Sequence, residues 1–159
     1  MLFLLATPEY NNVQSNTTKV RVHLRSGIAE IFEQHQDLMG KVDNNIVEIE
    51  TNFENKIEKT SFVLQDAVFI VSNQQEGKEE EGTGVYVYAK RVREITPSLS
   101  LEEISKQYEE KLQAFETEKQ KLESDNIDPL DQNLNAKLFV LKDEVDFLKK
   151  VVSVVKESK

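Results

Sequence analysis

The sequence has no cysteine, so disulfide scaffolds, thiolate zinc sites and cysteine nucleophiles are excluded. It has only two histidines, His23 and His35. They fall in different predicted elements, with no carboxylate at ligand spacing that stands out, and no metal site is expected. Basic residues are scarce: 20 against 29 acidic, for a net charge of -9. Phosphate affinity comes mainly from clustered Lys and Arg, so nucleic acid is a poor partner. An anionic lipid surface is a poor one too. No apolar run approaches the roughly 18 to 20 residues of a membrane span, and no direct membrane insertion is expected. Met1-Leu2-Phe3-Leu4-Leu5-Ala6 is too short for a secretory core, has no basic stretch before it, and reads as a strand. Gly82-Thr83-Gly84 lacks the Lys and the helix of a phosphate loop, and there is no Gly-x-Ser-x-Gly elbow. Paired carboxylates such as Glu48 and Glu50 read as a solvated sheet face in a chain this acidic. Neither catalysis nor a cofactor is expected, and the chain reads as soluble and intracellular.

What the chain does have is two halves with different periods. At 159 residues there is room for one ordinary domain, or a small one with an appendage. Val20, Val22 and Leu24 alternate with Arg21, His23 and Arg25. Val47 and Ile49 alternate with Glu48 and Glu50, and Val85, Val87 and Ala89 with Tyr86, Tyr88 and Lys90. Phe62 and Leu64 are flanked by polar residues, and Val68-Phe69-Ile70-Val71 is a continuous apolar run expected to be buried on both faces. Turn signals fall at Ser26-Gly27, Asp43-Asn44-Asn45, Asn52 to Asn55 and Asn73 to Gly84. The segment Gly77 to Gly84 reads as a solvated acidic insertion. About seven or more short antiparallel strands are predicted over residues 1–95, as a β-sandwich or small barrel. His23 reads as an exposed strand residue and His35 as a turn or interface residue.

Pro97 and Ser98 mark the border. Ser100 with Glu103 fits a capping box. Leu101, Ile104, Tyr108, Leu112, Phe115 and Leu122 then form one narrow apolar stripe on a charged helix over residues 100–124. Asp125-Asn126-Ile127-Asp128-Pro129 breaks it, with Asp128 as a cap and Pro129 as the first position of a second helix. That helix, residues 130–157, spans roughly 42 Å at about 1.5 Å per residue. Its main stripe is Leu134, Leu138, Leu141, Val145, Leu148, Val152 and Val155; Val140, Phe147, Val151 and Val154 form another. The fold class is therefore α+β by segregation: an N-terminal antiparallel β-sandwich (1–95) followed by a C-terminal antiparallel two-helix hairpin (96–159). The second helix carries more apolar surface than the first can cover. The excess either packs on the sandwich or docks another protein. Lys149, Lys150, Lys156 and Lys159 gather at its end, where cations complement the helix dipole.

One family resembles this plan. Ser26-Gly27-Ile28-Ala29-Glu30-Ile31-Phe32-Glu33-Gln34-His35-Gln36-Asp37-Leu38-Met39-Gly40 is similar to a segment of the rotary ATP synthase ε subunit (δ in mitochondria). That segment runs through a Gly-containing turn, a strand, a Leu-Pro-Gly-His turn, a short Ala-Pro-Leu-Leu stretch and a Gly. Phe62 to Asn73 resembles the family's Phe-Val-Ser-Gly-Gly-Phe-Val-Glu-Val-Ser-Asn block. Val85, Val87 and Ala89, with Arg91 to Ile95 after them, resemble its last strand, and Thr7-Pro8 the end of its first. The likeness covers nearly the whole chain and rests on order and spacing. Glu33-Gln34 stands where the family has Pro-Gly, and Asp66-Ala67 where it has Gly-Gly. The ATP-binding motif of some members, Ile/Leu-Asp-x-x-Arg-Ala, is matched by Ile95-Thr96-Pro97-Ser98-Leu99-Ser100, without the Asp or the Arg.

The resemblance implies a non-catalytic subunit. It joins the γ shaft to the ring of c subunits, peripheral on the inner face of an energy-coupling membrane. It implies contact with γ and the c-ring through Ser26, Gly27, Ile28, Glu30, Phe32, His35, Asp37 and Leu38. It also implies a hairpin that reaches the α/β catalytic head when extended and inhibits ATP hydrolysis. Leu141, Leu148, Lys149, Lys150, Val152 and Lys156 are its expected contact residues. The alternatives are a stalk subunit of a specialised motor derived from the synthase head, and a non-rotary sandwich and coiled-coil interaction module.

Overall fold

A computed structural model describes residues 1–73, 82–124 and 132–159. The expected insertion over residues 77–81, the break at Asp125 to Pro129 with its Asp128 cap, and the Leu134 side chain lie outside the described residues. The chain divides into two compact units, Met1–Thr96 and Pro97–Lys159.

The first unit holds β1 (Leu2–Ala6), β2 (Asn11–Gln14), β3 (Thr17–Leu24), β4 (Gly27–Ile31), β5 (Leu38–Val42), β6 (Asn45–Phe53), β7 (Lys56–Ser72) and β8 (Gly84–Ile95). They form one sheet in the order β2-β1-β8-β7-β6-β3-β4, with β5 paired to β7 off that path. The pairings are antiparallel except for β1 on β8, which is parallel and corrects the expectation of antiparallel strands throughout. Both β5 and β6 lie along β7, in one register: Val42 opposes Ala67 and Asn45 opposes Leu64. Asp43-Asn44 is therefore not a chain reversal but an interruption in one long hairpin whose true turn is Glu54-Asn55. Both turn residues have positive φ (48° and 64°), as a two-residue hairpin turn that follows strand twist requires.

The interruption is where the sheet bends. Asn44 (φ 44°) on one strand and Asp66 (φ 48°) on the other adopt the left-handed conformation that Asn and Asp tolerate best. The core-facing side of β7 changes there from Phe62 and Leu64 to Ala67, Phe69 and Val71. The opposed strands change in step. Val47 and Ile49 give way to Val42, and on β8 the buried set Val85, Val87 and Ala89 precedes half-buried Val92. A period-two strand that swaps sides without a bend would expose half its apolar residues; with the bend, all eight strands but β2 contribute to one core. Val68 and Ile70 are only half-buried, so this run has one core face, not two.

The second unit is α1 (Leu101–Ser124) and α2 (Gln132–Ser158). Ser100 caps α1: its Oγ accepts the Glu103 amide at 3.3 Å. Lys111 Nζ meets Glu144 Oε2 at 2.7 Å, and Lys137 Nζ meets Glu118 Oε1 at 2.9 Å. Seven residues on along α1 corresponds to seven back along α2, so the helices run antiparallel. In the same register Ile104 opposes Val151, and both are buried. Of the second stripe, Phe147, Val151 and Val154 are buried while Val140 is 52% exposed.

Candidate functional site

The candidate surface is β4 and the turn that follows it. β3 and β4 form a hairpin closed by Leu24 opposite Gly27, with Arg25-Ser26 as its loop. The loop residues do not take the positive φ of a primed turn; the adjustment falls on Gly27, at φ 145°, a region that favours glycine. Nothing lies within 4 Å of where its Cβ would be, so the demand there is conformational, not steric.

Ile31 points into the core and is buried, so Ile28 and Glu30 point away from it. Ile28 is 52% exposed and sits opposite His23; Glu30 sits opposite Arg21 and forms an ion pair with it, Oε1 lying 3.0 Å from Nε. Arg21 Nη1 also reaches Glu48 Oε2 at 3.3 Å, and His23 Nε2 meets the same oxygen at 2.9 Å. His23 is thus held in a carboxylate network, not simply exposed. Next to it Glu50 takes Lys19 at 2.9 Å and Lys59 at 3.3 Å, which hold its carboxyl below the usual range, the Lys19 bond having the larger effect. This outer face, read from the sequence as solvated at Glu48 and Glu50, is paired within itself.

Beyond β4 the chain turns through residues 32–37. Gln34 is left-handed at φ 63°. Here a residue other than glycine takes a conformation that favours glycine. The His35 amide donates to the Phe32 carbonyl at 3.1 Å, and His35 Nδ1 lies 2.8 Å from the Gln36 carbonyl. Around the turn is a polar clasp that the sequence reading missed. Buried Thr83 accepts the Gln34 amide at 2.6 Å on its hydroxyl, donates that hydroxyl to Asn73 Oδ1 at 2.8 Å, and gives its amide to Glu33 Oε1 at 2.7 Å. Asn73 Nδ2 donates to the His35 carbonyl at 2.7 Å and to Asp37 Oδ1 at 3.0 Å. The α-ammonium group of Met1 lies 3.0 Å from Glu33 Oε2. These bonds, the Thr83 amide first, hold the Glu33 carboxyl below its usual value of 4.5. The one advance signal is the placement of Asn73 and Thr83 within the Asn73 to Gly84 turn segment.

The expected contact residues thus share one continuous segment. Ser26, Gly27 and Glu30 are exposed; Phe32 is 49% and Leu38 37% exposed; Asp37 is tied to Asn73 and His35 is half-buried. Exposed Met39 adjoins them and was not singled out. On α2, Leu141, Leu148 and Lys150 are half-buried, Val152 is buried, and Lys149 and Lys156 are exposed. Among the described residues, no three acidic or histidine side chains are grouped to hold a metal ion, and no helix is long and apolar enough to cross a membrane.

No family model and no curated protein matches the sequence. Solved structures do. The chain is similar to a chain in the OSCP/F1/c-ring structure of Euglena gracilis mitochondrial ATP synthase, at 11% identity and TM-score 0.58, over 96% of this chain and 79% of that one. It is also similar to a chain in the central stalk/c-ring structure of Tetrahymena thermophila mitochondrial ATP synthase, at 13% identity and TM-score 0.48, over 96% of each. At 11% identity the shared feature is the fold, and the chain has the sheet-then-helix-pair fold of a chain in a mitochondrial ATP synthase.

Proposed function

We propose that this chain is an ε-type (mitochondrial δ-type) subunit of the central stalk of a rotary ATP synthase. The first unit holds the γ shaft and rests on the c-ring through Ser26 to Leu38. The chain is peripheral on the inner, matrix-like face of the coupling membrane. The observation that carries the reading is the fold shared over 96% of the chain with a chain of an assembly containing F1 and the c-ring. The exposed apolar residues Ile28, Phe32 and Leu38 on the segment that resembles the family's contact stretch support it. A densely packed sheet with low compressibility suits torque transfer. The chain catalyses nothing itself; the chemistry belongs to the α and β subunits of the head.

The hairpin is the regulatory half. At 27 residues, α2 spans roughly 40 Å at about 1.5 Å per residue, enough to reach into a catalytic head. Its exposed Lys149 and Lys156 are placed to meet acidic residues there.

The test is purification of the tagged chain from its own cells at low detergent. The γ, c, α and β subunits are expected in stoichiometric amounts; a lone monomer overturns the reading. Deleting residues 130–159 is expected to raise ATP hydrolysis by the assembled complex. Unchanged hydrolysis removes the inhibitory role but leaves the stalk assignment standing.

A further inference from the structure

We propose that Met39 is a site of reversible oxidation: a peroxide converts its thioether to the sulfoxide while the fold stays intact. This chemistry goes beyond the stalk role and needs no partner chain.

Sulfur is scarce here. There is no cysteine, and the two methionines are Met1 and Met39. Peroxide chemistry at sulfur therefore falls on one of two side chains, and their surroundings differ. Met1 packs against the core of the first unit. Its α-ammonium group donates to the Thr17 carbonyl at 2.9 Å and meets Glu33 Oε2 at 3.0 Å, so the residue is held at its backbone as well. Met39 is 71% exposed, the most exposed large apolar residue among the described residues. A thioether has no proton to lose, so access and not ionisation sets its rate of oxidation.

Register keeps Met39 outside. β5 pairs with β7, Met39 opposite Ile70 and Gly40 opposite Phe69. Phe69 belongs to the core, so Gly40 is on the core side of β5 and Met39 on the outer side. A Cβ at Gly40 would lie 2.5 Å from Phe69 Cε1, well inside contact distance, and the Phe69 ring is fully buried. A slip of β5 by one residue turns every side chain to the other face. It would place Met39 or Lys41 where the Phe69 ring leaves room for glycine alone. The sulfur therefore stays outside before and after it gains an oxygen.

On the outer face Met39 ends a row of cross-strand neighbours. Val13 opposes Leu4, Leu4 opposes Tyr86, Tyr86 opposes Ile70, and Ile70 opposes Met39. Oxidation gives the last position of this row a polar S–O group that enters water and not the core. That separates the site from the common lesion, in which a sulfoxide disrupts a packed interior.

In the step itself the Met39 sulfur attacks one oxygen of hydrogen peroxide, and an S–O bond forms as the O–O bond breaks. The proton on the transferred oxygen moves to the departing hydroxide, which leaves as water. Sulfur is oxidised by two electrons and the peroxide is reduced. Thiol-dependent sulfoxide reductases, one for each sulfoxide epimer, reverse the step; a thiol pair becomes a disulfide and the oxygen leaves as water.

The experiment treats the full chain with dilute hydrogen peroxide and follows both methionines by peptide mass mapping. Met39 is expected to gain one oxygen at a rate close to that of N-acetylmethionine amide, and about fivefold or more faster than Met1. The chain oxidised at Met39 is expected to keep the urea midpoint of the untreated one, and a mixture of the two reductases to restore the original mass. Met39→Leu, a swap that conserves volume, is expected to remove the fast phase and leave the fold unchanged. Equal rates at Met1 and Met39 overturn the proposal. So does a lowered midpoint, or a sulfoxide that the reductases leave in place, since either marks damage and not a reversible site.

Discussion

The ring of Phe3 stacks on the ring of Phe62, with centroids 6.2 Å apart and planes 22° apart. Both residues are paired to β8, but Phe3 opposes Val85 and Phe62 opposes Glu94. In a flat sheet those positions are nine residues apart along β8, roughly 30 Å at about 3.3 Å per residue. The stacked rings are therefore the closure of the sandwich, made possible by the bends at Asn44 and Asp66. Both rings are fully buried. Phe62→Ala is expected to cost about 3–5 kcal/mol, a large share of the stability of a small domain. Phe53→Ala, at a 60% exposed position, is expected to cost less than about 0.5 kcal/mol. Urea titration followed by circular dichroism compares the two.

Gln34 carries a positive φ that a side chain disfavours by about 1 kcal/mol or more. Its backbone amide, not its side chain, makes the bond to Thr83. Gln34→Gly keeps that bond and removes the strain, and the added freedom of the unfolded chain offsets part of the gain. A net stabilisation of about 0.5 kcal/mol is expected in the same titration. Gln34→Pro, whose ring forbids this φ and removes the donor, is expected to destabilise.

Glu33 provides a pH signature for the clasp. Its folded-state value is lowered, first by the Thr83 amide and then by the Met1 α-ammonium group. A lowered carboxyl contributes stability that is present above its unfolded value, near 4.5, and is lost as pH falls through the folded one. Stability is therefore expected to decline as pH drops below about 4.5. Glu33→Gln is expected to make that decline shallower and to lower stability at neutral pH. Thermal melts from pH 3 to 7 read both effects.

Nucleotide sensing gives a sharper outcome. Ile95 closes β8, Leu101 opens α1, and the residues between carry neither the Asp nor the Arg of the nucleotide motif found in some ε subunits. All four arginines, Arg21, Arg25, Arg91 and Arg93, lie before this junction. Calorimetry is expected to show no ATP binding by the isolated chain at micromolar affinity; a saturable isotherm in that range contradicts it.

β3, β6 and β8 were legible because each has one apolar side and a period of two, whereas β2, Asn-Asn-Val-Gln, gives no residue to the core and carries no such signal. Val20 with Val22, and Val85 with Val87, announce a core face whatever pairs with them. The bends were less legible: Asn44 and Asp66 are single polar residues whose left-handed backbone looks like an ordinary turn signal. Val68-Phe69-Ile70-Val71 reads as a run buried on both faces, but Val68 and Ile70 are half-buried, because the core side of β7 changes at Asp66 from Phe62 and Leu64 to Phe69 and Val71. The parallel pairing of β1 with β8 joins residues more than 80 positions apart, beyond the reach of any local pattern. The same distance effect hid the clasp. Glu33 and Thr83 are 50 residues apart, and neither announces the other. The segment from Ser26 to Leu38 could be proposed as a contact surface because its pieces are adjacent in the chain and match one stretch of the resemblance.

The helix pair was legible for the same local reason, and its energetics follow from its register. Lys111 with Glu144 and Glu118 with Lys137 align the helices like two rungs. The Lys137 ammonium group is the main cause of the lowered Glu118 carboxyl. Yet these pairs lie at the surface, where water and salt screen them and ordering two long side chains costs entropy. Ile104, opposite Val151, is 1% exposed, and its loss opens a cavity. Ile104→Ala is expected to cost about 2–4 kcal/mol in the unfolding of α1 and α2. Lys137→Ala is expected to shift the helical melt far less, and in 0.5 M salt hardly at all. Helical circular dichroism on the full chain checks both. A larger effect from Lys137→Ala than from Ile104→Ala would mean that the charged rungs, and not the apolar stripe, hold the pair together.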